Sequence, residues 1–268
     1  MNIVSFSGGK DSTAMLLRMI ELDYKIDKIV FADTGFEFPE LYDYIKRIEE
    51  HIGRKIITLK PEKNLFNKWF YGKSTRGKHK GKVRGYPLMA FPCWWTRESK
   101  LKPLQKIQKE ANNVYIGIAY DEKERMSKTD GKLKYPLFEW KWTEQDCINY
   151  LNKKGLFNPL YVNFNRLGCY LCPKQSESSL YVLWKNYPEL WNKMKWWDKE
   201  NKEKGNGYWI KGVPLVDFEE SFVKGYVPRK LPKYECWDGC ESVKTAFKEK
   251  QKGLGFFNSK KPSGEENG

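Results

Sequence analysis

Ile3-Val4-Ser5-Phe6-Ser7-Gly8-Gly9-Lys10-Asp11-Ser12-Thr13 decides the fold of this chain. The run ending at Phe6 reads as a buried strand. Thr13 to Leu22 reads as a helix, with Ala14, Leu17 and Ile20 at helical spacing. A glycine-rich turn joins them. Adjacent glycines let backbone N–H groups converge on an anion, the helix N-terminus adds its positive dipole, and Lys10 adds a full charge. A turn of this kind at the carboxyl end of a strand is a phosphate cradle, placed where open α/β sheets bind ligands. Walker A requires Gly, four residues and then Gly-Lys-Ser/Thr, and the dinucleotide fingerprint requires Gly-x-Gly-x-x-Gly. Neither pattern is present.

Outward from this turn, strand and helix alternate. Further strands are expected at Lys28–Ala32, Lys55–Leu59 and Val114–Ala119. Between the second and third lies an amphipathic helix with Leu41, Tyr44, Ile45, Ile48 and Ile52 on one face and Pro39 near its start. This rhythm predicts a doubly wound, mostly parallel sheet covered on both faces. The expected organisation is an α/β nucleotide-binding domain over residues 1–140, a helical, cysteine-containing region over 141–247 and a disordered tail over 248–268. In the tail, Lys, Gly and Ser dominate. Residues 60–92 break the rhythm as an insertion or a lid. Beyond Thr143, the segment Thr143-Glu144-Gln145-Asp146 caps a short helix through Leu151. A longer helix is expected over Ser178–Lys204, with Leu180, Trp184, Trp191 and Met194 spaced for core packing.

Forty-nine basic residues against 34 acidic ones leave a net charge of +15 over 268 residues. That balance favours polyanionic partners and says nothing about fold. The surplus is concentrated: Lys63 to Arg97 contains no carboxylate, and Lys73, Arg76, Lys78, Lys80, Lys82 and Arg84 crowd one glycine-rich stretch. Phosphate contacts from such residues make RNA or DNA a candidate partner. No window is apolar enough to span a bilayer and no secretory leader is apparent, so a cytoplasmic chain without a membrane partner is expected. Six cysteines in such a chain suggest metal or redox chemistry more than a disulfide scaffold.

Two further stretches bear on a nucleotide. Asp33-Thr34-Gly35 closes the second strand next to the phosphate turn, where a carboxylate can hold a ribose hydroxyl or Mg²⁺. Gly117-Ile118-Ala119-Tyr120-Asp121-Glu122-Lys123-Glu124-Arg125 closes the fourth, and Arg125 can clamp a phosphate or sulfate through its planar fork.

Together these residues resemble the phosphoadenosine phosphosulfate reductase family in its broad sense, within the PP-loop ATP pyrophosphatases, whose fold is adenine nucleotide α-hydrolase-like. The resemblance rests on Ser7–Ser12, Asp33-Thr34-Gly35 with Phe38-Pro39-Glu40, Asp121-Glu122 with Arg125, Asn158-Pro159-Leu160-Tyr161, and Arg166-Leu167-Gly168-Cys169-Tyr170-Leu171-Cys172-Pro173. It implies an adenine nucleotide held by Ser7, Gly8, Gly9, Lys10, Asp11, Ser12, Asp33, Thr34 and Gly35. Lys10, Asp11, Asp33 and Arg125 would serve catalysis. Sulfonucleotide reductases usually carry a degenerate loop without Gly-Gly-Lys-Asp. The intact loop here resembles relatives that cleave ATP, among them the sulfate adenylyltransferase small subunit and the enzymes that thiolate bases of transfer RNA and DNA.

Cys169-x-x-Cys172 has metal-ligand spacing. Cys93 lies where assimilatory reductases carry paired cluster cysteines, with Trp94 replacing the second. Three thiolates resemble the ligand set of transfer-RNA thiolases that hold a [4Fe-4S] cluster, and Cys240 or Cys236 would complete four. Zn²⁺ is the alternative metal. Lys233-Tyr234-Glu235-Cys236 faintly resembles the mobile nucleophile segment of the reductases, which makes Cys236 a candidate for attack on sulfur. Cys147 reads as a buried inert thiol.

The leading expectation is an enzyme that uses ATP and Mg²⁺ to adenylate a substrate for sulfur transfer, with base thiolation first among the acceptors. It would need a sulfur donor, and a homodimer is among the expected assemblies. The alternatives are a sulfonucleotide reductase forming sulfite with a thioredoxin-like reductant, a nucleotide-binding accessory protein of a nucleoprotein complex, and a sulfate adenylyltransferase subunit.

Overall fold

A computed structural model describes residues 1–77, 80–85, 93–127, 131–204 and 213–229. Lys78, Cys236, Cys240 and the 248–268 tail lie outside the described residues. The central sheet contains β1 (Asn2–Phe6), β2 (Lys28–Ala32), β3 (Ile57–Leu59), β4 (Asn113–Ile116) and β5 (Leu133–Lys134). All four pairings are parallel, in the order β3-β2-β1-β4-β5. The short β5 was not anticipated, since two residues carry no periodicity.

The pleat sends alternate residues to opposite faces. Val4 and Phe6 of β1 enter the larger core with Ile29 and Phe31 of β2, while Ile3, Val30 and Val114 enter a smaller one. Helices α1 (Lys10–Glu21) and α2 (Pro39–Ile52) cover the larger face. Helix α3 (Leu65–Phe70) follows β3, and α4 (Trp94–Thr96) continues through a π-helical turn into α5 (Lys102–Gln108). Leu104 and Ile107 of α5 pack on the opposite face, so the sheet is wound on both sides.

After β4 come a 3-10 segment (Tyr120–Arg125), β5, α6 (Pro136–Glu139), α7 (Glu144–Lys153) and a second 3-10 turn (Pro159–Val162). Thr143 caps α7: its hydroxyl accepts from Asp146 N at 3.2 Å, and Asp146 Oδ2 accepts from Thr143 N at 2.9 Å. Cys147 on α7 is fully buried, and burial pushes its thiol pKa upward. The single helix expected over Ser178–Lys204 is two, α8 (Glu177–Asn186) and α9 (Pro188–Glu203), followed by α10 (Leu215–Val223). Pro188 supplies no N–H and drives Tyr187 out of the α region, to φ −133° and ψ 61°, so the chain turns there. Leu180, Trp191 and Met194 are core residues as expected, whereas Trp196 is half exposed.

Candidate functional site

The strand order reverses at β1, between β2 and β4, and the loops that leave these strands form the site. Gly8 has φ +73°, and a Cβ there would lie 2.5 Å from Leu41 Cδ1. Glycine is therefore required twice over, by conformation and by space. The loop is cross-braced. Ser7 Oγ and Ser12 Oγ lie 2.8 Å apart, and Ser12 Oγ donates to Gly9 O at 3.1 Å. From the helical half of the chain, Asn158 Nδ2 donates to Gly8 O at 2.8 Å, and Tyr161 OH accepts from Lys10 N at 3.1 Å. Gly117, just beyond β4, allows the two loops to touch: a Cβ there would meet Ser12 Cα and N at 2.7 Å.

The Lys10 side chain is almost fully buried. Its Nζ lies 2.5 Å from Glu144 Oε1 and 3.4 Å from Asp11 Oδ2. Burial pulls its pKa down, but Asp11, Tyr161 and Glu144 outweigh that and hold it above the ordinary range. Asp11 shows the converse. Burial raises its pKa to about 6, Lys10 opposes the rise and Glu144 adds to it. One Asp11 oxygen, Oδ1, is buried with no hydrogen-bond partner among the described residues. Arg125 forms an ion pair with Glu122. Carboxylate oxygens of Asp11, Glu122 and Glu144 all lie within 4.8 Å of one another. This donor set and the orphaned Asp11 oxygen fit a hard divalent cation such as Mg²⁺.

On the β2 side, Asp33 Oδ1 accepts from Gly35 N at 2.7 Å and from Tyr42 OH at 2.9 Å. Thr34 Oγ1 donates to Glu37 Oε1 at 2.8 Å, and buried Glu37 pairs with Lys100 at 3.2 Å. A cavity of about 480 Å³ opens above Asp33, walled by Phe36, Lys60, Phe66, Trp95 and Trp197 among others. The glycine-rich turn, the Asp33 carboxylate and an aromatic cavity thus lie along one edge of the sheet.

Cys93, Cys169 and Cys172, the expected metal ligands, are all described and are free thiols. Among the described residues, Asp11, Glu122 and Glu144 are the only three candidate ligands that converge closely enough to share a single metal ion. Cys93, Cys169 and Cys172 do not. Cys93 Sγ caps α4 by accepting from Thr96 N at 3.4 Å, and Cys169 Sγ donates to Thr34 Oγ1 at 3.2 Å. Cys172 Sγ accepts from Arg166 Nη2 at 3.6 Å. Burial pushes the Cys169 thiol up to about 12; Glu37 adds to the rise and Lys100 opposes it. Without a metal that thiol is neutral and hydrogen-bonded; a bound metal would displace its proton. Among the described residues the three thiols share no single-ion site; Cys236 and Cys240, the expected further ligands, lie outside them.

Several site residues carried little signal of their own. Glu144 read only as the first residue of a capped helix, and Tyr42, Glu37 and Lys100 carried no role of their own in the sequence. Asn158 and Tyr161 were visible through the family motif, without the role the structure gives them. Of the basic stretch, Lys73, Arg76, Lys80, Lys82 and Arg84 are described, on a hairpin following α3.

A phosphate turn at the switch point of a doubly wound parallel sheet defines the class of α/β nucleotide-binding proteins. Residues 1–175 match the phosphoadenosine phosphosulfate reductase domain, and the chain belongs to that family. An uncharacterised protein of Methanocaldococcus jannaschii is 32% identical over 79% of this chain and 45% of its own length. Adenosine 5'-phosphosulfate reductase 1 of Bacillus subtilis is 29% identical over 58% of this chain and 67% of its own length. The chain spans about half the length of the M. jannaschii relatives it matches. Among solved structures, the phosphoadenylyl-sulfate reductase of Candida auris aligns with TM-score 0.46 and 18% identity, over 63% of this chain and 81% of that one. The U34-tRNA thiolase NcsA of Methanococcus maripaludis, solved with its [4Fe-4S] cluster, aligns with TM-score 0.40 and 15% identity, over 87% and 83%. No helix among the described residues is long and apolar enough to cross a membrane.

Proposed function

We propose that this chain is an enzyme that binds ATP at residues 7–12 and cleaves it between the α and β phosphates, adenylating an acceptor for sulfur transfer. The observation that carries this reading is the buried Lys10 Nζ, held against Asp11 and Glu144 at the end of an intact Ser-Gly-Gly-Lys-Asp-Ser turn. A lysine and three carboxylates in one crevice suit a nucleotide that arrives with its own cation.

Gly8, Gly9, Lys10 and Ser12 hold the β and γ phosphates, and Asp33 orients the ribose. Asp11, Glu122 and Glu144 would hold Mg²⁺, which neutralises the charge that builds on the leaving pyrophosphate. Phosphate oxygens then take over Lys10 and Arg125 from their carboxylate partners. An acceptor oxygen attacks the α phosphorus, the bond to the bridging oxygen breaks, and pyrophosphate departs. Adenylated oxygen is a good leaving group, and a sulfide nucleophile displaces it: the carbon–sulfur bond forms as the carbon–oxygen bond breaks, and AMP departs with that oxygen.

The test is pyrophosphate release from ATP with Mg²⁺, compared between the wild type and Lys10→Ala. Release that falls at least about a hundredfold in the variant, on the scale of removing a transition-state charge partner, is the expected result. Sulfite formation from a sulfonucleotide with no turnover of ATP would replace this reading with that of a reductase.

A further inference from the structure

The described arms of the basic stretch after α3, residues 71–77 and 80–85, pair as a hairpin. Lys73 and Val83 form an antiparallel bridge, Ser74 N donates to Lys82 O at 2.8 Å, and Gly81 N donates to Ser74 O at 2.8 Å. Its base is tied to α3, where Arg84 N donates to Gly72 O at 2.8 Å and Gly85 N donates to Phe70 O at 3.0 Å. Lys73, Arg76, Lys80 and Lys82 are exposed on it, and no ion pair neutralises them among the described residues. Solvated lysines are ordinary on a surface. Hairpin arms that hold four of them within a stretch free of carboxylates make a strip of positive potential.

At the foot of the hairpin stands a column of planar groups. The Arg84 guanidinium lies 4.2 Å from the Trp69 ring centre, and Trp94 stacks on Trp69 at 3.8 Å and 18°. Two groups that near cannot share one face, so Trp69 is sandwiched between them. Trp94 adjoins Trp95, whose indole N–H donates to Thr34 O at 3.1 Å and whose ring walls the cavity above Asp33. Phe66, one turn before Trp69 on α3, walls it too. The strip therefore leads through planar groups to the cavity of the nucleotide site.

We propose that the hairpin arms at residues 71–77 and 80–85 dock single-stranded nucleic acid. Its phosphates run along Lys73, Arg76, Lys80 and Lys82, and a base stacks at the Arg84 end of the column, beside the cavity. The charge strip accounts for affinity, and the planar column accounts for strandedness, because a base in a duplex has no free face to stack. This rests on the adenylation reading above and names the class of its acceptor.

The experiment is fluorescence anisotropy of the full chain, without ATP, against a labelled RNA strand, the same DNA strand, an abasic strand of equal length, a duplex and poly-glutamate as competitor. The variant Lys73→Gln/Arg76→Gln/Lys80→Gln/Lys82→Gln is set beside a control that loses four exposed lysines elsewhere, at Lys46, Lys55, Lys199 and Lys224. Circular dichroism verifies that both are folded. The expected result is at least about a tenfold loss in the hairpin variant alone, with the slope of log affinity against log salt falling by about 3, from four lost contacts at roughly 0.7 each. Weaker binding of the abasic strand is also expected. Preference for RNA or for DNA identifies which strand the surface serves. Equal binding of the abasic strand or the duplex, displacement by poly-glutamate as effective as by an unlabelled strand, or equal losses in the two variants overturns the proposal. Lys10→Ala, read in the same assay, is expected to bind strands like the wild type. Failure of ATP cleavage and failure of docking are thereby separate observations.

Discussion

At the scale of single residues, the site is built on charge held in short supply of water. Asp11 keeps its proton to about pH 6, against an ordinary value of 3.8. Below the ordinary value both folded and unfolded chains are protonated, and folding loses nothing through this group. As pH rises through that value and on through about 6, the unfolded chain ionises first and stability falls, by on the order of 1–3 kcal/mol. Asp11→Asn is therefore expected to flatten the decline of Tm between about pH 4 and about pH 7, and Mg²⁺ to restore part of the wild-type loss at the upper end. Thermal melts of both proteins across that range, with and without Mg²⁺, check the sign. A wild-type curve parallel to the variant's would remove Asp11 from the argument. Gly8 is the steric counterpart. Gly8→Ala adds a clash with Leu41 to a left-handed backbone, with an expected cost of about 2–4 kcal/mol and loss of ATP affinity, read by denaturant titration and calorimetry.

At the scale of elements, the caps and breaks matter more than the helix faces. The Thr143–Asp146 capping box fixes the first turn of α7 and with it Glu144, which pairs with Lys10. Thr143→Ala is expected to lower stability by about 1 kcal/mol and to weaken Mg²⁺-dependent ATP binding as Glu144 loses its anchor. Unchanged nucleotide affinity at reduced stability would confine the box to a structural role. Helix α2 could be read from periodicity because it buries one regular face, and β1 and β2 as short apolar runs because both their faces are covered. The break at Pro188 could also have been read, since proline in a helix interior removes a hydrogen bond; hydrophobic spacing on both sides concealed it. The basic stretch could be read as charge but not as a hairpin, because its cross-strand bonds are carried by backbone groups that any sequence possesses.

At the scale of the whole molecule, the sheet and the helical half share one core, which includes Val4, Met15, Leu151, Leu160, Trp191 and Phe222. The helical half also reaches into the phosphate turn through Asn158 and Tyr161. A chain cut after residue 140 exposes the α1 face that α7 covers, and it is expected to lose cooperative unfolding and ATP binding together. A cut chain that melts in a single sharp transition with native affinity would show that the first half stands alone. Tyr161→Phe tests the same link more gently: the Lys10 N–H loses its partner at an expected cost of about 1 kcal/mol. The sequence by itself determined the parallel α/β class, the phosphate turn and the family, because periodicity, glycine geometry and motif order are local properties of the chain. Tertiary packing alone brings Glu144 and Glu122 to Asp11 and sets Tyr161 against Lys10. Those relations depend on distances between residues far apart in the chain, which packing sets and spacing along the chain does not encode.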